Sequence, residues 1–178
     1  MKKLTVIIAL ILAPLAGFAQ AGAFDSYEDE KGVTAVIVTK NMFKLLAEID
    51  LESNDPEVKE YLELVNNLEN IKIYITDKPE ISKRMTADVS KYISSAKGLN
   101  ELMRVKDDGK NIKFYAREGK SENFVSELLM FLDGKVDGKD STIIMSITGN
   151  IDLKKISKLT KDLDVPGSDQ LKNIDKKQ

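Results

Sequence analysis

The chain has 178 residues, with 27 Lys and Arg against 29 Asp and Glu, a formal net charge of -2. That balance excludes a nucleic-acid binder acting by charge alone, and 42% hydrophobic with 31% charged residues mark an ordinary globular chain of one domain, or at most two small ones. Cys, His and Trp are absent, which removes disulfides, thiolate nucleophiles, imidazole bases and every His- or Cys-ligated metal site.

Lys2 and Lys3 precede a run from Leu4 to Leu15 that is apolar apart from Thr5 and Pro14, and Gly17-Phe18-Ala19 supplies small residues around a cleavage position. This reads as a secretory signal peptide over residues 1–19, leaving Gln20 first; a cut after Ala21 is the alternative. About a dozen apolar residues are too few to span a bilayer, which takes roughly 20 in a helix. The mature protein is therefore expected to be soluble, not membrane-spanning, and periplasmic or secreted. Without Lys2 and Lys3, 25 basic residues face 29 acidic ones, a side-chain charge of -4.

Residues 20–32 are small, acidic and aperiodic and read as a flexible leader outside the core. Val33 to Val38 is a β-branched strand that passes into a helix carrying Met42, Phe43, Leu45, Leu46 and Ile49. Asp55-Pro56-Glu57 offers a cap, a first-turn proline and an acid for a second helix, with Val58, Tyr61, Leu62, Val65 and Leu68 on its apolar face. Asn70 to Thr76 is a strand with Ile71, Ile73 and Ile75 on one side and Lys72 and Tyr74 on a wetter one. Pro79 opens a helix with Ile81, Met85, Val89, Tyr92, Ile93 and Ala96 at helical spacing, closed by Gly98.

The period then becomes 2. Met103 and Val105, then Ile112, Phe114 and Ala116, alternate with polar residues on either side of the turn signal Asp107-Asp108-Gly109. Phe124 to Leu132 fits a helix or a strand buried on both faces, and its flanking turn signals Asp133-Gly134 and Asp137-Gly138 favour a strand. Thr142 to Thr148 alternates again as its hairpin partner. Gly149-Asn150 is expected to break that strand and cap a last helix with Ile151, Leu153, Ile156, Leu159 and Leu163. The pattern predicts a single α+β domain over residues 33–163, a mixed and largely antiparallel sheet with helices packed mainly on one face. Residues 164–178 are polar and read as a disordered tail.

Three segments, Leu99 to Gly109, Glu127 to Gly134 and Thr148 to Leu153, lie behind the expected signal peptide. Together they resemble the domain-of-unknown-function family numbered 4252, over about Val33 to Leu163. The resemblance implies a small exported protein of Bacteroidota-type bacteria, with a link to envelope signalling or stress. It carries no catalytic residue that transfers to this chain.

Ser94-Ser95-Ala96-Lys97 matches the Ser-x-x-Lys pattern of penicillin-recognising enzymes, but at a helix end and without its companion motifs, so it reads as a solvated terminus. Asp133, Asp137 and Asp140 supply hard oxygen ligands near glycines, yet turn chemistry accounts for Asp-Gly pairs, and neither a metal nor a cofactor is expected. Asp107 and Asp108 could be read as a general acid and base, but adjacent carboxylates at a hairpin tip are usually solvated.

Two surfaces stand out instead. Arg104, Lys106, Lys113, Tyr115 and Arg117 fall on one face of the first hairpin, a basic strip suited to an anionic partner or simply the solvated side of the sheet. Val125, Leu129 and Phe131 form the second face of an apolar strand that needs cover from this chain or from another molecule. The functional expectation is a non-enzymatic binding module of the cell envelope, with a homodimer or another envelope protein as partner. A hydrolase built from carboxylates, Ser, Lys and Tyr, or a small-ligand carrier, is the alternative.

Overall fold

The computed structural model of the chain describes residues 22–49, 62–107, 109–121, 124–136 and 138–153. The expected signal peptide, the cap at Asp55-Pro56-Glu57, the last helix beyond Leu153 and the tail lie outside those residues.

Strand β1 (Thr34–Thr39) runs into helix α1 (Lys40–Ile49), and residues 62–66 are helical ahead of β2 (Leu68–Thr76). Helix α2 (Pro79–Ser95) leads to β3 (Leu99–Asp107), β4 (Lys110–Glu118), β5 (Phe124–Val136) and β6 (Lys139–Asp152). The strands form one sheet in the order β1-β2-β6-β5-β4-β3, with every neighbouring pair antiparallel. This is the expected α+β class.

One connection sets this order. From β2 the chain must reach β3 at the far edge, four strand spacings or roughly 19 Å away. The 17 residues of α2 extend roughly 25 Å as a helix, enough to cross the sheet diagonally. Ile81, Met85 and Val89 are buried as it does so, and Gly98 turns the chain into β3 at φ +74°.

The sheet is covered on both faces rather than mainly on one. On one face Phe43 of α1, with Leu64 and Val65, packs on Ile71, Ile73, Phe114, Leu128, Met130, Leu132, Met145 and Ile147. On the other, Ile81, Met85 and Val89 of α2 pack with Tyr74, Tyr115, Leu129, Phe131 and Ile144. Alternation makes this arrangement necessary. Adjacent residues of Leu128–Leu132 point to opposite faces and all are buried, so each face needs its own layer.

The leader also departs from expectation. A 3₁₀ turn at Asp25–Tyr27 buries Phe24 and Tyr27 in the α2-side core. Phe24 meets Tyr92 edge to face at 5.4 Å, and the Tyr27 hydroxyl donates to Asp88 at 2.6 Å. Lys72 donates to Asp25 at 2.5 Å and to Glu28 at 2.8 Å, and Arg84 pairs with Glu30. Two aromatics amid acids that meet strand and helix cations thus make this segment a part of the core rather than a loose lead-in. Its Tyr27 ring meets that of Tyr74 at a tilt, with centroids 6.1 Å apart, and Tyr74 is fully buried, so the second side of β2 is buried there rather than wet.

The second hairpin is longer than its turn signals suggest. Gly134 lies inside β5, paired with Ser141, and the strands separate only beyond Val136 and Lys139. Likewise Gly149 bends β6 without ending it, so Asn150 is a strand residue and Ile151 a buried one. Leu68 starts β2 instead of closing a helix face. At Gly134 (φ +144°) a Cβ would overlap the Gly109 carbonyl oxygen, and at Gly149 (φ +142°) that of Asn67. Backbone crowding, not chain reversal, explains these two glycines.

Gly134→Ala is expected to cost more than about 2 kcal/mol. Gly109→Ala, at φ +80° in open space, is expected to cost about 1 kcal/mol. Urea denaturation of the two variants checks the order. By the same measurement Tyr27→Ala is expected to lose about 3 kcal/mol, where a flexible leader would show no change.

Candidate functional site

The five residues of the basic strip do share the α2-side face of the first hairpin, because Arg104 pairs with Lys113 and Glu101 with Tyr115 across its strands. They do not form a free cationic surface. Arg104 grips Glu101 through Nε at 3.1 Å and Nη2 at 2.8 Å, and these hydrogen bonds hold the Glu101 carboxyl below the usual range. Tyr115 is buried, and burial followed by the charge of Glu101 raises its phenol. Arg117 turns inward, donating through Nε at 3.2 Å and Nη2 at 3.0 Å to Glu127, and through Nη1 to the Lys97 carbonyl. Only Lys106, exposed, and Lys113, half-buried, keep the character expected of the strip.

Glu127 is one of the few buried polar residues, and Arg117 neutralises it while the Tyr92 hydroxyl donates to its other oxygen at 2.7 Å. Burial first, then the hydrogen bond and charge of Glu127, push the Tyr92 phenol up to about 12. This triad ties α2, β4 and β5 together. Its carboxylate has both oxygens occupied by protein donors, which suits a structural tie rather than a proton acceptor for a substrate.

The apolar surface expected at Val125, Leu129 and Phe131 is covered by the chain itself. Phe124–Val136 is a strand, as the turn signals indicated. Leu129 and Phe131 are buried beneath α2. Val125 points the other way, into the α1-side core, because a register irregularity between Val125 and Glu127 reverses the alternation. None of the three is available to a partner.

Other groups with chemical potential are equally committed. Ser94 and Ser95 donate back to the carbonyls of Lys91 and Tyr92, as solvated helix-end hydroxyls do. A cleft of about 340 Å³ is lined in part by Ser82, Lys83, Asp133, Asp140 and Thr142. There Thr142 lies 2.6 Å from the Ser82 hydroxyl and donates to Asp133 at 3.1 Å, tying α2 to the long hairpin. Asp137 lies outside the described residues, among which no metal-holding group of three His, Cys, Asp or Glu occurs.

One surface went unsingled in the sequence. The uncharged strand Thr34-Ala35-Val36-Ile37-Val38-Thr39 ends the sheet. Val36 is 44% exposed and Ile37 40%. Its outward N–H and C=O groups, on alternate residues of an antiparallel strand, have no partner strand among the described residues. Met42 and Leu45, one turn apart on α1, are also exposed. At the other edge, β3 carries Glu101, Arg104 and Lys106 and a register irregularity between Glu101 and Met103, features that discourage strand addition. The absence of any charge from Val33 to Thr39 was the available signal, but only the strand order makes that run an edge.

Residues 27–159 match the family described as Domain of unknown function (DUF4252). The chain belongs to that family. No curated protein and no solved structure matches it. The DUF4252 match begins at Tyr27, the aromatic that anchors the leader beneath α2, and runs past the end of β6. Among the described residues no helix is long and apolar enough to cross a membrane.

Arg117→Met, which leaves Glu127 without its cation, is expected to destabilise the fold by about 3 kcal/mol, and Tyr92→Phe by about 1 kcal/mol. Urea titration of both, with the double variant, measures their coupling. The phenols of Tyr27, Tyr74, Tyr92 and Tyr115 are all raised in the fold. An unfolded tyrosine releases its proton near the ordinary value of about 10 while the folded ones retain theirs. Stability is therefore expected to hold below that pH and to fall as pH rises towards 12 and beyond, followed by ultraviolet absorbance and unfolding together.

Proposed function

We propose that this DUF4252 chain is an exported, non-enzymatic binding module of the cell envelope. The observation that carries the reading is the uncharged outer edge of β1, which has no partner strand among the described residues, together with the exposed Met42 and Leu45. An edge of this kind is a template for strand addition, with backbone hydrogen bonds supplying affinity and alternate side chains supplying selectivity. By contrast, the described carboxylate, phenol and hydroxyl clusters inside the molecule are tied to one another.

Export is supported by Lys2 and Lys3, the apolar run from Leu4 to Leu15 and the small residues ending at Ala19. The protein recovered from its native envelope fraction is expected to begin at Gln20 or Gly22 by intact mass. A species that retains Met1 and stays in the cytosol contradicts export. For binding, the mature chain and its Ile37→Lys variant are immobilised and exposed to an envelope extract. Proteins held by the wild type and lost from the variant support the edge as the binding surface, and equal retention contradicts it.

A further inference from the structure

We infer that the partner fitted to β1 is a second copy of this chain, joined edge to edge so that two sheets become one. This rests on the reading of β1 as a binding edge and names its occupant. Three observations select self-pairing. From Val33 to Thr39 there is no charge, so two copies running antiparallel oppose no like charges. The strand is mostly Val, Ile and Thr, which make favourable cross-strand pairs with their own kind. The opposite edge, β3, is charged and irregular, so β1 to β3 stacking, which would propagate into a fibre, is disfavoured. One open edge and one guarded edge give a closed two-fold pair.

Two-fold symmetry also restricts the register. Opposed residues of paired antiparallel strands lie on the same face, so the axis must pass through a residue rather than between two. The exposed Val36 and Ile37 are the middle positions of β1. With the axis at Ile37, the two Ile37 side chains meet directly. With it at Val36, they are diagonal neighbours on the same face. In either register Ile37 pairs across the seam on the face where Ala35 and Ile37 lie opposite Tyr74 and Lys72 of β2, and Val36 does so on the α1 face. The same axis places both α1 helices on one side of the joined sheet.

The test uses the full mature chain and light scattering after size exclusion across a concentration series. The wild type is expected to be a dimer, and Ile37→Lys alone and Ile37→Glu alone are each expected to dissociate roughly tenfold more readily or further. Mixing the two variants is expected to restore a mixed dimer, because opposite charges then face each other at the seam. Thermal melts matching that of the wild-type monomer show that each variant folds. A strictly monomeric wild type, a lysine variant that dimerises unchanged, or a mixture that stays monomeric each overturns self-pairing. The envelope-capture experiment is read separately, so a monomer that still holds a partner through Ile37 removes the second copy without removing the binding edge.

Discussion

Burial of β5 and β6 on both faces is the constraint on which the structure depends. Leu128 to Leu132 and Ile143 to Met145 are each buried without interruption. A strand of that composition cannot leave either side to water, since each such side chain is worth roughly 1.5 to 3 kcal/mol when fully buried. Two layers of cover follow. Helix α1 and residues 62–66 contribute to one, while α2 and residues 23–33 contribute to the other. The leader is held by this need, because Phe24 and Tyr27 complete the α2-side core beside Tyr74.

The polar groups follow the same economy of space. Glu127 lies within a buried stretch of β5 and is matched by Arg117 and Tyr92. Thr142 joins Ser82 to Asp133. Lys72 sits between Asp25 and Glu28; burial alone would lower its ammonium pKa, but the two carboxylates outweigh that and raise it. Such ties orient layers rather than expose reactive groups. Among the described residues the β1 edge differs from these sites, since its outward backbone groups have no partner strand and its residues carry no charge.

Much of the architecture was legible because it rests on period. The β1 to α1 switch, the amphipathic α2 with its proline start, and the hairpin around Gly109 follow from local spacing and turn chemistry. What stayed hidden depended on distant neighbours. Gly134 and Gly149 look like turn residues, but their Cβ positions are excluded by the backbones at Gly109 and Asn67. Irregularities near Glu101 and Val125 reverse a strict alternation, so parity assigned Val125 to the wrong face. Arg104 and Arg117 were placed on their correct face, yet their acid partners, found through a strand irregularity and a neighbouring strand, took away their freedom. The exposure of β1 is likewise a property of strand order.

That order has a consequence for how the chain comes together. The β2–β6 seam joins residues 68–76 to the last described strand, so the β1–β2 hairpin has two unsatisfied sides until residues 139–152 have been made and docked. During synthesis the early hairpin must wait for the end of the domain. A chain interrupted before β6 would leave β2 and β5 each without the neighbour that β6 supplies, so open borders would stand inside the sheet as well as at its rim.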